Sequence, residues 1–393
     1  MRSKLLILVF LAVMPVSAQS FSDLRANLTS APAADRDGMI SAFLASTTVP
    51  HFEDDSTAVF LWTGADSSMA VSGDMTGWSQ EGLPMQRIEG TDLWFLERIL
   101  EPDARIDYKL IRNGTDWILD PRNPNTAPSG FGVNSELAMP AYVQPWEIAE
   151  DPSVARGSLS KHTFRSAILS NERTVQVFVP ADYDPQRPDP YPVILYHDGS
   201  DYTRIANVPV ILDNLIAHGR IASLVAVFVD PVDREAEYAT TSTAEFTRVI
   251  VEELMPWVEA TYHVSADPAR RAVTGPSYGG LVTARQCFEH PEEFGLCAPF
   301  SPSLWVLEGA LLQAMTAGTV TGIKWYLDWG TYERTIAEGS RMFEAVLQQQ
   351  NATFLSNEWH EGHSWGSWRA HQNLMLAYFF PGPNTLLSDP IRN

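Results

Sequence analysis

The chain has 393 residues, 45% of them apolar and including 12 Trp, 12 Tyr and 18 Phe, enough to fill the cores of two domains and too many for a disordered chain. Its 27 basic residues face 48 acidic ones, a formal net charge of −21, so its solvated acidic surface repels phosphate backbones and anionic membranes, and nucleic acid is excluded as an expected partner. Two cysteines, Cys287 and Cys297, can build neither a disulfide scaffold nor a cysteine zinc site; one lies in a helix-like run and the other in a strand-like run, and both are expected as buried free thiols.

In chain order, Arg2 and Lys4 precede an apolar run at 5–13 and the small-residue site Val16-Ser17-Ala18. This is the pattern of a secretory signal peptide over 1–18, with the mature protein starting near Gln19 and exported to the periplasm or the exterior. The apolar run is too short for a stable membrane span, no other stretch is longer, and no cysteine near the cleavage point offers a lipid anchor. After an N-terminal segment at 19–55, short strands are expected at 58–62, 69–72, 93–96, 106–111 and 117–119, separated by Gly, Asp, Asn and Pro turns; this spacing predicts a β-sandwich over 56–145. The stretch from Pro121 to Asn125 and the later Gly130-Phe131-Gly132 read as a long ordered loop, and 146–156 as a linker.

From Gly157 the pattern changes. An opening strand pair at 159–169 and 173–179 is followed by apolar runs at 193–196, 224–229, 272–274, 296–300 and 325–327, alternating with helix-length segments near 206–218, 244–260, 279–289, 337–349 and 366–379. Such alternation predicts a mostly parallel sheet with helices on both faces over 157–382, followed by a tail at 383–393, and places functional groups in loops at the carboxyl ends of strands.

Val273-Thr274-Gly275-Pro276-Ser277-Tyr278-Gly279-Gly280 joins a strand-like run to a helix-like one and matches the G-x-S-x-G nucleophile elbow, which makes Ser277 a candidate nucleophile. A serine hydroxyl needs a base, an acid to orient that base, and donors for the oxyanion. His363, in the loop between the strand-like 352–358 and the last helix, is the candidate base. Glu333, in the turn Gly330-Thr331-Tyr332-Glu333, is the candidate acid; Asp328 is either its rival or a structural acid capping the same turn. The backbone N–H of Tyr278, at a helix start, is the first expected oxyanion donor, and the loop Tyr196-His197-Asp198-Gly199-Ser200 supplies the second at Gly199 or Ser200, with Gly199 letting the backbone approach substrate. His197 itself reads as a packing residue. Arg234 either grips an anionic substrate group or braces its loop against a carboxylate. Trp305 and Trp365 are candidate substrate contacts, within an aromatic concentration that includes Tyr278, Trp329 and Trp368. Trp62, Trp78, Trp94 and Trp117 form either a sugar platform or sandwich core.

As a set, Tyr196-His197-Asp198-Gly199, Arg234-x-x-Glu237-Tyr238, Gly275-Pro276-Ser277-Tyr278-Gly279-Gly280-Leu281, Ser301-Pro302-Ser303-Leu304-Trp305, Gly330-Thr331-Tyr332-Glu333 and Gly362-His363-Ser364-Trp365-x-x-Trp368 resemble the esterase D-like branch of the α/β hydrolases, which includes enterochelin, feruloyl and acetyl-xylan esterases. Phe60-x-Trp62, Gly73-Asp74-Met75-x-Gly77-Trp78, Leu93-Trp94, Tyr108-Lys109 and Asp120-Pro121-x-Asn123-Pro124 resemble the N-terminal sandwich of enterochelin esterases and glycogen-binding modules. The resemblance implies an α/β hydrolase preceded by a small immunoglobulin-like β-sandwich. It further implies a serine esterase without metal or organic cofactor and without an obligate protein partner, acting on a small-molecule or polysaccharide ester. Two positions depart from the family pattern: Glu361 stands where a glycine is common, and Glu333 where an aspartate is common. Enterochelin esterases typically work in the cytoplasm, so the export signal also departs from that branch.

Overall fold

The computed structural model describes residues 20–385, so the export signal at 1–18 and most of the tail at 383–393 lie outside the described residues. The N-terminal segment forms two helices, α1 (Phe21–Ser30) and α2 (Ala33–Ser46), which the sequence reading did not anticipate. Phe21, Leu24 and Leu28, then Ile40, Phe43 and Leu44, recur at helical spacing and make one buried face. Ser20 caps α1 by accepting from the Asp23 N–H at 3.0 Å. The helices bury Val59, Leu61, Leu93 and Phe95 on the outer face of the first sheet of the next domain.

That domain contains β1 (His51–Phe52), β2 (Thr57–Thr63), β3 (Met69–Gly73), β4 (Leu83–Pro84), β5 (Gln86–Arg87), β6 (Leu93–Ile99), β7 (Arg105–Arg112), β8 (Asp116–Ile118), β9 (Thr126–Ser129) and β10 (Gly132–Ala138). Two antiparallel sheets, β1-β2-β6-β5 and β4-β3-β7-β10-β9 with β8 also beside β7, enclose a core that includes Phe60, Val71, Ile106, Tyr108 and Leu137. The loop expected through 132 is corrected here: its second half is the hairpin β9–β10, with Ser135 opposite Tyr108 of β7. Pro128 hid the strand; it sits on the sheet edge, where a missing N–H costs no ladder bond. Asn123 holds the first half by donating to Tyr108 Oη at 3.0 Å and to the Glu136 carbonyl at 2.8 Å.

The linker docks on the next domain, where Asn214 Nδ2 donates to the carbonyls of Glu147 and Ala149, both at 2.8 Å. The second domain then runs through β11 (Ser158–Ser166), β12 (Asn171–Val179), β13 (Val193–His197), α3 (Gly199–Arg204), α4 (Val208–Ala217), β14 (Val225–Val229), α5 (Arg234–Tyr238), α6 (Thr243–Arg248), a π turn at 249–254, α7 (Met255–Thr261), β15 (Arg271–Pro276), α8 (Tyr278–Glu289), β16 (Leu296–Phe300), α9 (Ala310–Ala317), β17 (Lys324–Gly330), α10 (Arg334–Gln349), β18 (Thr353–Trp359), α11 (Trp365–Ala370) and α12 (Gln372–Phe379). One eight-stranded sheet has the order β11-β12-β14-β13-β15-β16-β17-β18. Strands β13 to β18 are parallel, and β11 and β12 join antiparallel. Continuous apolar runs such as Val225–Val229 are buried along their whole length because apolar clusters cover both faces of the sheet. Cys287 and Cys297 are buried and free.

Candidate active site

The nucleophile elbow is where β15 passes into α8. Ser277 has φ 62° and ψ −119°, a left-handed conformation that costs a non-glycine residue about 1–3 kcal/mol. Neighbouring strands hold it there. Its N–H donates to the Phe300 carbonyl at 3.0 Å, and its own carbonyl accepts from Ser303 at 3.1 Å and Leu281 at 3.0 Å. A Cβ on Gly275 would lie 2.8 Å from the Gly279 backbone, so glycine is required for strand and helix to come this close.

His363 and Glu333 meet although 30 residues separate them: His363 Nδ1 donates to Glu333 Oε1 at 3.0 Å. The Glu333 side chain is fully buried, and each of its oxygens is engaged: Ser301 Oγ donates to Oε1 at 2.8 Å and the Gly330 N–H to Oε2 at 3.1 Å. Trp368 Nε1 donates in turn to Ser301 Oγ at 3.0 Å and stands edge-on to the His363 ring. With Nδ1 committed, Nε2 is the imidazole nitrogen left for chemistry. The half-exposed His363 and Ser277 together line two clefts of about 600 and 650 Å³, and Trp78 lines both.

Asp328 belongs to a different network. It accepts from Trp359 Nε1 at 2.7 Å, Tyr326 Oη at 3.1 Å and His371 Nδ1 at 2.9 Å, while His371 Nε2 faces Glu361 at 3.2 Å. Burial alone would discharge His371, but the two carboxylates outweigh it and raise its pKa to about 10. Asp328 thus engages His371 and not His363.

Of the oxyanion donors, Tyr278 opens α8, where first-turn N–H groups have no intrahelical acceptor. Gly199 opens α3, and its missing side chain serves packing, since a Cβ there would lie 2.4 Å from Phe228 of β14. Ser200 drops out as the alternative because its N–H donates to Asp230 Oδ1 at 2.7 Å. Arg234 is gripped by Asp198 through Nε at 2.8 Å and Nη2 at 2.7 Å and also reaches the Pro276 carbonyl at 3.3 Å, which braces the loop behind the elbow, and the same side chain lines the larger cleft. His197 is buried against Tyr238 and Phe246, and burial lowers its pKa to about 4, consistent with packing. Trp305 is half exposed on the rim of one cleft; Trp365 is largely buried, but lines the other together with Trp368. Trp329 is core.

The sandwich also contributes to the clefts. Trp78 and Trp117 stack at 6.3 Å and line the larger cleft together with Lys109 and the exposed Phe131, so these two tryptophans face the site while Trp94 is core. Asp74 lines the smaller cleft; burial, reinforced by the nearby Asp107 charge, raises its pKa to about 7. The sequence signal for this group was Gly73-Asp74-Met75-x-Gly77-Trp78, read only as a sandwich motif. Among the described residues, no cluster of His, Cys, Asp and Glu could hold a metal ion, and no helix is long and apolar enough to cross a membrane.

Sheet order, strand directions and elbow together are those of an α/β-hydrolase-type fold. The chain belongs to the family described as "Putative esterase", whose model matches residues 166–379. It is 28% identical over 320 residues to the iron(III) enterobactin esterase of Escherichia coli O6:H1, covering 72% of this chain and 78% of that one. The enterobactin esterase of Shigella flexneri, solved in the presence of enterobactin, superposes with a TM-score of 0.73 at 24% identity, covering 86% of this chain and 97% of that one. The endo-1,4-beta-xylanase/feruloyl esterase of Xylanibacter ruminicola is 26% identical over 172 residues, covering 41% of this chain and 24% of that protein.

Proposed function

We propose that this esterase is an exported serine enzyme whose triad is Ser277, His363 and Glu333. The observation that carries the reading is the buried Glu333, fully hydrogen-bonded and holding His363 Nδ1 beside a serine in a strained elbow. Ser277 Oγ attacks the ester carbonyl as His363 Nε2 takes its proton; Glu333 fixes the tautomer and stabilises the imidazolium. The Tyr278 N–H, aided by the amino end of α8, and a second amide near Gly199 hold the oxyanion. Collapse expels the alcohol with the proton from His363, and water then releases the acid from the acyl-enzyme.

The substrate reading we favour is an aromatic, enterobactin-type ester. The 28% identical relative and the aromatic walls of the larger cleft support it. A feruloyl or acetyl-xylan ester is the second reading, favoured by the feruloyl-esterase relative and by the export signal. We read the N-terminal two-sheet domain as immunoglobulin-like. Fluorophosphonate labelling of wild type against Ser277→Ala tests the enzyme; an unlabelled wild type would leave a non-catalytic scaffold. Hydrolysis of an enterobactin-like trilactone, methyl ferulate and acetylated xylan then separates the substrates, and turnover of ferulate alone rejects the siderophore reading. Export predicts a periplasmic or extracellular protein whose N-terminal sequencing begins near Gln19.

A further inference from the structure

The loop carrying His363 is held largely by the sandwich. Arg105, fully buried at the start of β7, donates from its backbone N–H to the His360 carbonyl at 3.0 Å and from Nη1 to Ser364 Oγ at 2.8 Å. Its remaining nitrogens are fixed within the sandwich, Nε by Glu136 at 2.7 Å and Nη2 in an ion pair with Asp107 at 2.8 Å. Ser364 Oγ also caps α11 by accepting from the Ser367 N–H at 3.3 Å, so the start of that helix and the guanidinium converge on one hydroxyl. The fit leaves no slack. A Cβ on Gly366 would lie 2.0 Å from Arg105 Nη2, and one on Gly362 would lie 2.0 Å from Asp74 Cγ. These two glycines flank His363. Further along the interface, Asp103 pairs with His360 Nδ1 at 2.7 Å, and Tyr332, next to Glu333, donates to Glu101 at 2.5 Å.

We propose that Arg105 is a positioning residue for His363: through Ser364 and the 360–366 backbone, the docked sandwich sets where the base sits relative to Ser277, so the N-terminal domain is a working part of the catalytic apparatus as well as a wall of the cleft. A guanidinium suits this role because its rigid fork spans Glu136, Asp107 and Ser364 at once, which a lysine ammonium cannot do. The inference rests on His363 acting as the base for Ser277. Misplacing a catalytic group by about an ångström costs on the order of 100-fold in rate while leaving ground-state binding nearly untouched.

The test compares wild type, Arg105→Met, Arg105→Lys, Ser364→Ala and Ser364→Thr, with Arg112→Ala as a control at the far end of the same strand, where Arg112 pairs with the exposed Asp116 of β8. For each, kcat and KM on p-nitrophenyl acetate and the rate of fluorophosphonate labelling are measured in the full chain. Arg105→Met and Ser364→Ala are expected to lose about 10- to 100-fold in kcat and in labelling rate with KM within about two-fold of wild type. Arg105→Lys should recover melting temperature but not kcat, Ser364→Thr should restore kcat, and Arg112→Ala should match wild type. A folded Arg105→Met with wild-type kcat, or one changed only in KM, overturns the proposal. Should Arg105→Met not fold, the serine pair decides, and equal kcat for Ser364→Ala and Ser364→Thr overturns it. Failure of wild type itself to label would instead overturn the Ser277 reading beneath it.

Discussion

Glu333 and Asp328 lie five residues apart, on consecutive parts of one strand and turn, and each faces a histidine. What separates them is the state of the partner. His371 is buried between two carboxylates and keeps its proton, so it cannot serve as a base near neutral pH, whereas His363 has one nitrogen on Glu333 and the other free. Glu333→Gln is accordingly expected to fold with nearly unchanged melting temperature and to lose about 10²- to 10⁴-fold in kcat, because an amide no longer fixes the productive tautomer. Asp328→Asn should show the opposite balance, a clear fall in melting temperature from a damaged buried network. Steady-state kinetics with thermal melts on both variants checks the assignment, and a larger loss of kcat in a folded Asp328→Asn contradicts it.

The same network makes stability depend on pH. Folded His371 titrates at about 10 against an ordinary 6.5, so its contribution is complete below about pH 6.5 and drains away as pH rises toward 10. The melting-temperature gap between wild type and His371→Gln should therefore narrow across that window. A constant gap would show that His371 is not charged in the folded protein.

At the scale of elements, the hairpin β9–β10 and the tryptophans of the sandwich reach over the larger cleft. Phe131 at the hairpin tip and Trp117 on β8 are placed to touch the far end of a long substrate, and neither holds the His363 loop. Phe131→Ala and Trp117→Ala are expected to raise KM for a bulky aromatic ester by about 10-fold, the loss of roughly 1–1.5 kcal/mol of aromatic contact, with p-nitrophenyl acetate kinetics unchanged. A parallel loss on both substrates would mean that these residues support the fold instead. Elements of this kind were the hardest to read from sequence. The parallel strands announced themselves as continuous apolar runs because both of their faces are buried. Ser277, Glu333 and His363 each sit at a strand's carboxyl end, within a recognisable turn. By contrast, α1 shows a helical spacing only at Phe21, Leu24 and Leu28 and α2 only at Ile40, Phe43 and Leu44, too few positions to stand out, and β9 is masked by Pro128. Arg105 has no local signal of function at all, and the motif around Asp74 points only to the sandwich. Their place at the site comes from contacts with Ser364 and Gly362 more than 250 residues away, which exist only once the two domains are docked.

At the scale of the whole molecule, the two domains share the clefts, with Ser277, Glu333 and His363 at the ends of the larger sheet's strands and Trp78, Asp74 and Arg105 approaching from the smaller domain. The acidic surface adds a constraint on substrate choice. A net charge of −21 slows the approach of a multiply anionic ester, and this repulsion is screened as the Debye length falls from about 30 Å to about 8 Å between 0.01 M and 0.15 M salt. For such an ester kcat/KM should rise with salt over that range, and for neutral methyl ferulate it should stay flat; a fall with salt for the anionic ester would reveal a local positive field that overrides the global one.

The central claim is that Ser277 carries the acyl group through a covalent intermediate. It is tested most directly by mixing the enzyme with a slowly deacylating activated aromatic ester, quenching in acid within the first turnovers, and mapping the adduct by peptide mass spectrometry. The account predicts one acyl group per chain, on the peptide containing Ser277, and none in Ser277→Ala. Ester hydrolysis at the wild-type rate by Ser277→Ala, or an acyl group trapped on another residue, would contradict it.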